Sequence, residues 1–253
     1  MIANYHTHTF RCGHASGTEE EYIKRAIEGG IKIMGFADHA PAVLYDGYKL
    51  GWRVQVEEAK DYFDTIKALR EKYKNQIEIH IGFEMEYYPE YFDKMYKLVK
   101  EMGAEYLILG QHFIDEVGGI PHSALGEHNE EHLVKYTDLV IEGMKTGKFL
   151  YIAHPDMLKY SGDMDLYRSE TRRICQASKE LDVPLEINLL GIHSKRHYPN
   201  EEFLKIAGEV GCKMIYGLDA HEAIRAYDEE SLKKAEELVN KYGINLIDSI
   251  EIN

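Results

Sequence analysis

Thirteen histidines stand in this 253-residue chain, and several of them, with a few acidic residues, fall where metal chemistry would need them. His6 and His8, the pair Asp38-His39, Glu84, His112, His154, and Asp219 with His221 each close a short apolar run. Neutral imidazole and carboxylate are the usual protein ligands of Zn²⁺ and also suit Mn²⁺ or Fe²⁺. Clustered divalent ions can clamp a phosphate and lower the pKa of a bound water to about 7, which makes hydrolysis feasible at neutral pH. Cys12, Cys175 and Cys212 are too scattered for a thiolate site, so nitrogen and oxygen donors remain. Neither a Gly-x-Ser-x-Gly elbow nor a Gly-rich phosphate loop is present.

Residues so distant in sequence converge only if parallel strands bring their carboxyl ends to one face, as barrels and open α/β sheets do. The chain has that rhythm: apolar runs alternate with amphipathic stretches at a spacing of roughly 35 residues. Strands are expected at Ile2–His6, Ile31–Ala37, Ile77–Phe83, Tyr106–Gly110, Phe149–Ala153, Pro184–Asn188 and Lys213–Leu218. Helices are expected to start near Thr18, Val54, Pro89, Glu130, Asp165 and Glu201, with a last one over Glu229–Tyr242. Thr18 and Glu21 fit a capping box, and Gly29-Gly30 and Gly243 sit where helices should stop. The run Ile244–Ile252 reads as a final strand or as a tail packed on the barrel. No linker or repeat divides the chain, so residues 1–253 read as one domain.

Strand parity sharpens the expectation. In Ile77–Glu84 the apolar residues 77, 79, 81 and 83 share one face, while His80, Gly82 and Glu84 share the other. The first face suits helices and the second leads up the barrel interior to Glu84. His6 and His8 share parity, as do Asp219 and His221, so each pair can point at one centre.

Composition sets the outer bounds. A 44% hydrophobic content supports one large core. No stretch approaches the ~20 apolar residues of a membrane span. The N-terminus enters a strand without a basic leader, and sparse cysteines suit a reducing compartment, so a cytoplasmic protein with no membrane partner is expected. A net charge of −14 without a basic stripe argues against a nucleic-acid partner.

The motifs His6-Thr-His8, Cys12-Gly-His14-Ala, Asp38-His39-Ala-Pro, Gly82-Phe-Glu84, Gly110-Gln-His112-Phe, Ala153-His154-Pro-Asp and Gly217-Leu-Asp219-Ala-His221 resemble, in order and spacing, the polymerase-and-histidinol-phosphatase (PHP) superfamily. Together with Arg196-His-Tyr-Pro199, they are most similar to its histidinol-phosphate phosphatase branch. The resemblance implies a distorted (βα)7 TIM-like barrel with three divalent ions (Zn, Mn or Fe) at the carboxyl ends of the strands. Carried onto this chain, site one would use His6, His8, Glu84 and Asp219. Site two would share Glu84 and add His112 and His154, and site three would use His14, His39 and His221. Arg196 falls where this branch places a phosphate-binding arginine, with His193 and His197 flanking it as candidate substrate contacts. The implied reaction is in-line attack of a metal-activated water on a phosphate monoester, L-histidinol phosphate in histidine biosynthesis. Asp38 is a candidate acid for the leaving alkoxide. Many members carry Asp two residues before the first histidine; Asn4 stands here, without a charge to orient a ligand imidazole.

Two other functions are compatible with these residues. One is a PHP phosphoesterase for another ester, such as a nucleotide, a sugar phosphate or phosphotyrosine. The other is a non-catalytic auxiliary domain, against which the intact ligand set argues. On a structural reading, His14 and His39 are the members that a two-metal site could spare, Asp38 is a strand cap, and Arg196 is a solvated charge. His80, His122, His128 and His132 read as structural, Cys12 as filling space, and Tyr87-Tyr88 with Tyr91 as packing. The oligomeric state is not legible.

Overall fold

The computed structural model describes residues 1–42, 51–115 and 122–252. Among them, parallel strands β1 (Ala3–Asn4), β2 (Ile33–His39), β3 (Glu78–Met85) and β4 (Tyr106–Leu109) pair in that order. A second parallel set pairs β5 (Leu185–Asn188), β6 (Lys213–Gly217) and β7 (Asn245–Leu246).

The two sets close on each other at both seams. At one, the run 149–153 lies between β4 and β5, with Ile152 bridging Leu109 on one side and Leu185 on the other. It makes bridge contacts rather than the continuous ladder expected of a strand, because the chain turns away at His154, whose φ is 30°. At the other seam, Thr7 bridges Ala220, and the amide of His8 donates to Ala220 O at 3.0 Å. β1 is correspondingly shorter than the expected Ile2–His6. The result is a distorted (βα)7 barrel.

The helices are α1 (Glu19–Glu28), α2 (Ala59–Tyr73), α3 (Phe92–Met102), α4 (Glu130–Lys145), α5 (Met164–Leu181), α6 (Leu189–His193), α7 (Glu201–Val210) and α8 (Glu229–Tyr242). The Thr18/Glu21 capping box is formed, and Asn129, Asp163, Asn200 and Asp228 cap later helices with their side chains. Such caps satisfy amides that lack an intrahelical partner, at about 1 kcal/mol each. α2 begins later than Val54 because a 3₁₀ turn, Val56–Glu58, precedes it. α6 follows directly on β5 in a run that the βα rhythm does not separate from its strand.

Parity decides which face packs where. Ile79, Ile81 and Phe83 of β3 join the large core under the helices, with Tyr62 and Phe63 of α2 among their neighbours. A smaller cluster, including Ala3, Tyr5, Ala37, Tyr106, Ile108 and Tyr151, forms a second core. Fully burying one such large apolar side chain contributes roughly 1.5–3 kcal/mol. The C-terminal tail packs Ile247, Ile250 and Ile252 on this inner cluster, and Tyr5 Oη donates to Ile250 O at 2.7 Å. Ile244–Ile252 is therefore mostly a tail, with a two-residue strand at its start. Among the described residues no helix is long and apolar enough to cross a membrane.

Candidate metal centre

Glu84 ends β3 at the centre of a group of imidazoles. Its Oε1 lies 2.7 Å from His154 Nε2 and 3.3 Å from His112 Nε2. Its Oε2 lies 3.0 Å from His39 Nδ1, 3.5 Å from His6 Nε2 and 3.6 Å from His8 Nε2. Asp219 Oδ1 is 3.1 Å from His8 Nε2 and 3.5 Å from His6 Nε2. Among the described residues five sets gather potential ligand atoms within 4.8 Å of one another: His6, His8 and Asp219; His6, Glu84 and His154; His14, His39 and His221; His8, His39 and Glu84; and His8, Cys12 and His221. The nine residues expected from the sequence thus meet in one place.

The far nitrogen of most of these rings is spoken for. His6 Nδ1 faces Glu186 Oε1 at 2.8 Å, His8 Nδ1 faces Asp38 Oδ1 at 3.4 Å, and His112 Nδ1 faces Glu86 Oε1 at 3.2 Å. His14 Nδ1 faces Cys12 O at 2.9 Å, and His221 Nδ1 faces Asp219 O at 3.0 Å. An acceptor at Nδ1 fixes the proton there and leaves the Nε2 lone pair for an ion, the arrangement common behind metal-bound histidine.

Other atoms lack a well-aligned hydrogen bond, even where a charged neighbour is close. Glu84 Oε2, His39 Nδ1, His154 Nδ1 and His221 Nε2 are buried without a hydrogen bond. A buried carboxylate oxygen left so costs about 1–3 kcal/mol or more. The converging lone pairs and the unmatched Glu84 oxygen fit divalent cations.

The backbone is shaped to the same end. His154 (φ 30°) and Asp219 (φ 49°) are held in the left-handed region, which non-glycine residues adopt at a cost of order 1 kcal/mol or more. Two glycines are needed for close approach. A Cβ on Gly110 would lie 1.9 Å from Glu84 Oε1, and one on Gly217 would lie 1.7 Å from Glu186 Oε1. The loop carrying His14 is anchored by buried Arg11, which pairs with Glu19 and with Asp61 at 2.6 Å.

Glu186 is the residue that sequence reasoning passed over. Its Oε1 takes His6 Nδ1 and Tyr151 Oη (3.3 Å), and its Oε2 takes the His154 amide (2.9 Å) and Asn188 Nδ2 (2.8 Å). It performs the orienting role that an Asp at position 4 was expected to have. Asn4 instead stitches backbone: its Oδ1 accepts from the Leu218 amide at 2.9 Å, and its Nδ2 donates to Thr7 Oγ1 at 2.8 Å. Glu186→Gln should weaken metal affinity by about 10–100-fold in chelator competition, because the amide nitrogen must face a donor. Unchanged affinity would mean that Glu186 does not set the His6 ring.

Protons compete with metal here. Burial alone pushes His6 down, but Glu186, Asp219 and Glu84 outweigh it and raise it to about 10. His8 is also raised, burial being outweighed by Asp219 and Asp38, while burial and the charge of His8 push His221 down to about 3 and His39 well below its usual value. The acidic neighbours therefore favour protonation of the His6/His8 pair, whose Nε2 atoms face each other at 3.1 Å, whereas burial favours the neutral forms of His39 and His221. A cation at His6 and His8 must displace those protons, so affinity rises with pH, by about tenfold per pH unit for each proton released. Zinc titrations between about pH 6 and 8 should show this slope with matching proton release; a flat profile would contradict it.

Above the cluster opens a cavity of about 690 Å³. Glu84, Asp219, His14, His39, His112 and His221 reach its floor, and Trp52, Phe113, Leu125, Met157 and Leu190 give it an apolar wall. Arg196, Lys159, His122, His197 and Ala124 complete the lining. Arg196 donates from Nη1 to Tyr198 Oη, and His197 Nε2 lies 2.7 Å from Met157 O.

Two expectations are corrected. His193 does not reach the cavity, since the C-terminal end of α6 turns its ring toward Asp228 at 3.7 Å. Asp38 does not reach it either: the carboxylate is fully buried behind His8 and is occupied by Thr9 Oγ1 and by the amides of Thr9 (3.0 Å) and His39 (2.8 Å). It holds the His8 ring in place.

The PHP domain model matches residues 4–189, well over half of the chain. The chain belongs to the PHP domain family. Asp219 and His221 lie beyond that match, yet the barrel returns them to the same floor. This PHP domain is 26% identical over 227 residues to a probable histidinol-phosphatase of Deinococcus radiodurans, covering 87% of this chain and 86% of the relative. It is equally 26% identical, over 249 residues, to a probable phosphatase of Thermoanaerobacter sp., covering 96% and 87%. Its fold superposes on histidinol phosphate phosphatase of Lactococcus lactis, solved with zinc, L-histidinol and phosphate. The TM-score is 0.77 at 21% identity, with 99% of this chain and 97% of the other covered.

Proposed function

We propose that this PHP domain is a metal-dependent phosphomonoesterase whose substrate is L-histidinol phosphate, released as L-histidinol and inorganic phosphate. The observation that carries the reading is one cavity with a His/carboxylate floor and an arginine on its lining. The kinship to histidinol-phosphatases supports the choice of ester.

His6, His8, Glu84 and Asp219 would hold one ion, Glu84, His112 and His154 a second, and His14, His39 and His221 a third. Bound divalent ions supply an activated water and positive charge against the phosphoryl oxygens. The chain's own residues do the rest. Glu84 and Asp219 keep the floor anionic enough to retain cations, and Glu186, Asp38 and Glu86 hold the rings at fixed angles. Arg196, steadied by Tyr198, presents a planar fork to phosphate oxygens. The wall of Trp52, Phe113 and Leu190 excludes water and offers aromatic and aliphatic surface to an imidazole ring.

Chelation should abolish phosphate release from L-histidinol phosphate, and Zn²⁺ or Mn²⁺ should restore it. Full activity of metal-free protein would overturn the metal-dependent reading. A cavity suited only to another phosphate ester would show as metal-restored turnover of that ester with little of histidinol phosphate.

A further inference from the structure

The geometry points to Cys12 as a metal ligand, offering a sulfur beside His221, a member of the His14, His39 and His221 cluster, and making that site selective for zinc. This rests on the reading of the cavity floor as a metal centre.

Cys12 is fully buried at the end of the 3₁₀ turn Phe10–Cys12, which Thr9 caps. Its Sγ and one ring nitrogen each of His8 and His221 lie within 4.8 Å of one another. Of these neighbours His8 is already committed, with Nδ1 toward Asp38 and Nε2 toward Asp219. His221 is shared with the His14/His39 group and has a buried Nε2 without a hydrogen bond, while the buried His39 Nδ1 faces Glu84 Oε2 at 3.0 Å. The backbone of the same residue also meets this group, since its carbonyl oxygen accepts from His14 Nδ1 at 2.9 Å.

A sulfur in this place changes the chemistry of one site only. The floor around Glu84 and Asp219 is made of imidazole and carboxylate, which accept Mn²⁺, Fe²⁺ and Zn²⁺ alike, whereas thiolate favours Zn²⁺ over Mn²⁺. On binding, the S–H bond breaks, the sulfur keeps the electron pair for the ion, and the proton leaves to solvent. The third site then keeps zinc even when the others hold manganese.

Cobalt substitution tests this without relying on turnover. The Co²⁺-loaded protein should show sulfur-to-cobalt charge-transfer absorption in the near ultraviolet. The band should persist in the Cys175→Ser/Cys212→Ser double variant and vanish in Cys12→Ser. Cys12→Ser should also lower zinc affinity at this site, relative to manganese, on the order of tenfold. If Cys12→Ser fails to fold, the double variant alone decides, because Cys12 is then the remaining thiol. Cobalt bound with visible d–d bands but no charge transfer would overturn the sulfur ligand and leave the metal centre standing. A band lost in the double variant and kept in Cys12→Ser would overturn it as well. No cobalt uptake by the wild type would sink the metal centre itself.

Discussion

Glu84→Gln should lower kcat on L-histidinol phosphate by on the order of 10³-fold or more and cost the protein at least one bound ion, because in the proposed scheme this side chain would supply charge to two ion sites at once. Its two oxygens face five imidazoles at 2.7–3.6 Å. Burial works against its charge, yet His112, His6, His39 and His154 outweigh it and hold the carboxyl well below the usual range. The amide keeps the shape but removes the negative charge and turns two N–H donors toward ring nitrogens that should be donating lone pairs. The variant should fold, since Gly110 leaves room for the same outline. Metal content by mass spectrometry, beside kcat, checks this; near wild-type turnover with a full metal complement would refute the shared-ligand scheme.

Arg196→Ala should lower kcat/KM for phosphate monoesters by about 10²–10³-fold, the usual cost of losing one donor to transition-state charge. Metal content should stay the same, since among the described contacts the guanidinium bonds Tyr198 and touches none of the candidate ligands. Arg196→Lys should recover only part of the loss, because an ammonium keeps the charge without the two-pronged geometry. Loss of metal in Arg196→Ala would mean that the residue supports the floor instead, through Tyr198, whose ring lies 6.0 Å from His154.

How much of this was legible depends on local signals. Glu84 could be read because β3 alternates strictly and its polar face ends on that residue, and the other expected ligands except His14 similarly close apolar runs. Glu186 escaped although Leu185-Glu-Ile-Asn188 alternates the same way, since its strand ends on Asn188 and the carboxylate sits one step below the rim. Glu86 escaped for the opposite reason, lying past the strand end and balanced by buried Arg53. His122 reaches the cavity from a bridge to Phe113, and burial beside His112 pushes it down to about 4, so neither spacing nor charge marks it. His193 was misplaced because α6, a single short helix between β5 and Arg196, rotates it away. Spacing could suggest which residues gather, but the ring orientations depend on contacts such as His6 with Glu186, 180 positions apart.

The most direct measurement is kcat/KM for L-histidinol phosphate against a generic aryl phosphate, on protein loaded with Zn²⁺ or Mn²⁺. A preference of several powers of ten for histidinol phosphate is the predicted result. Slow, indifferent turnover of both esters would contradict the named substrate while leaving a metal phosphoesterase. No turnover of either, with the metals bound, would contradict catalysis itself and favour an auxiliary role.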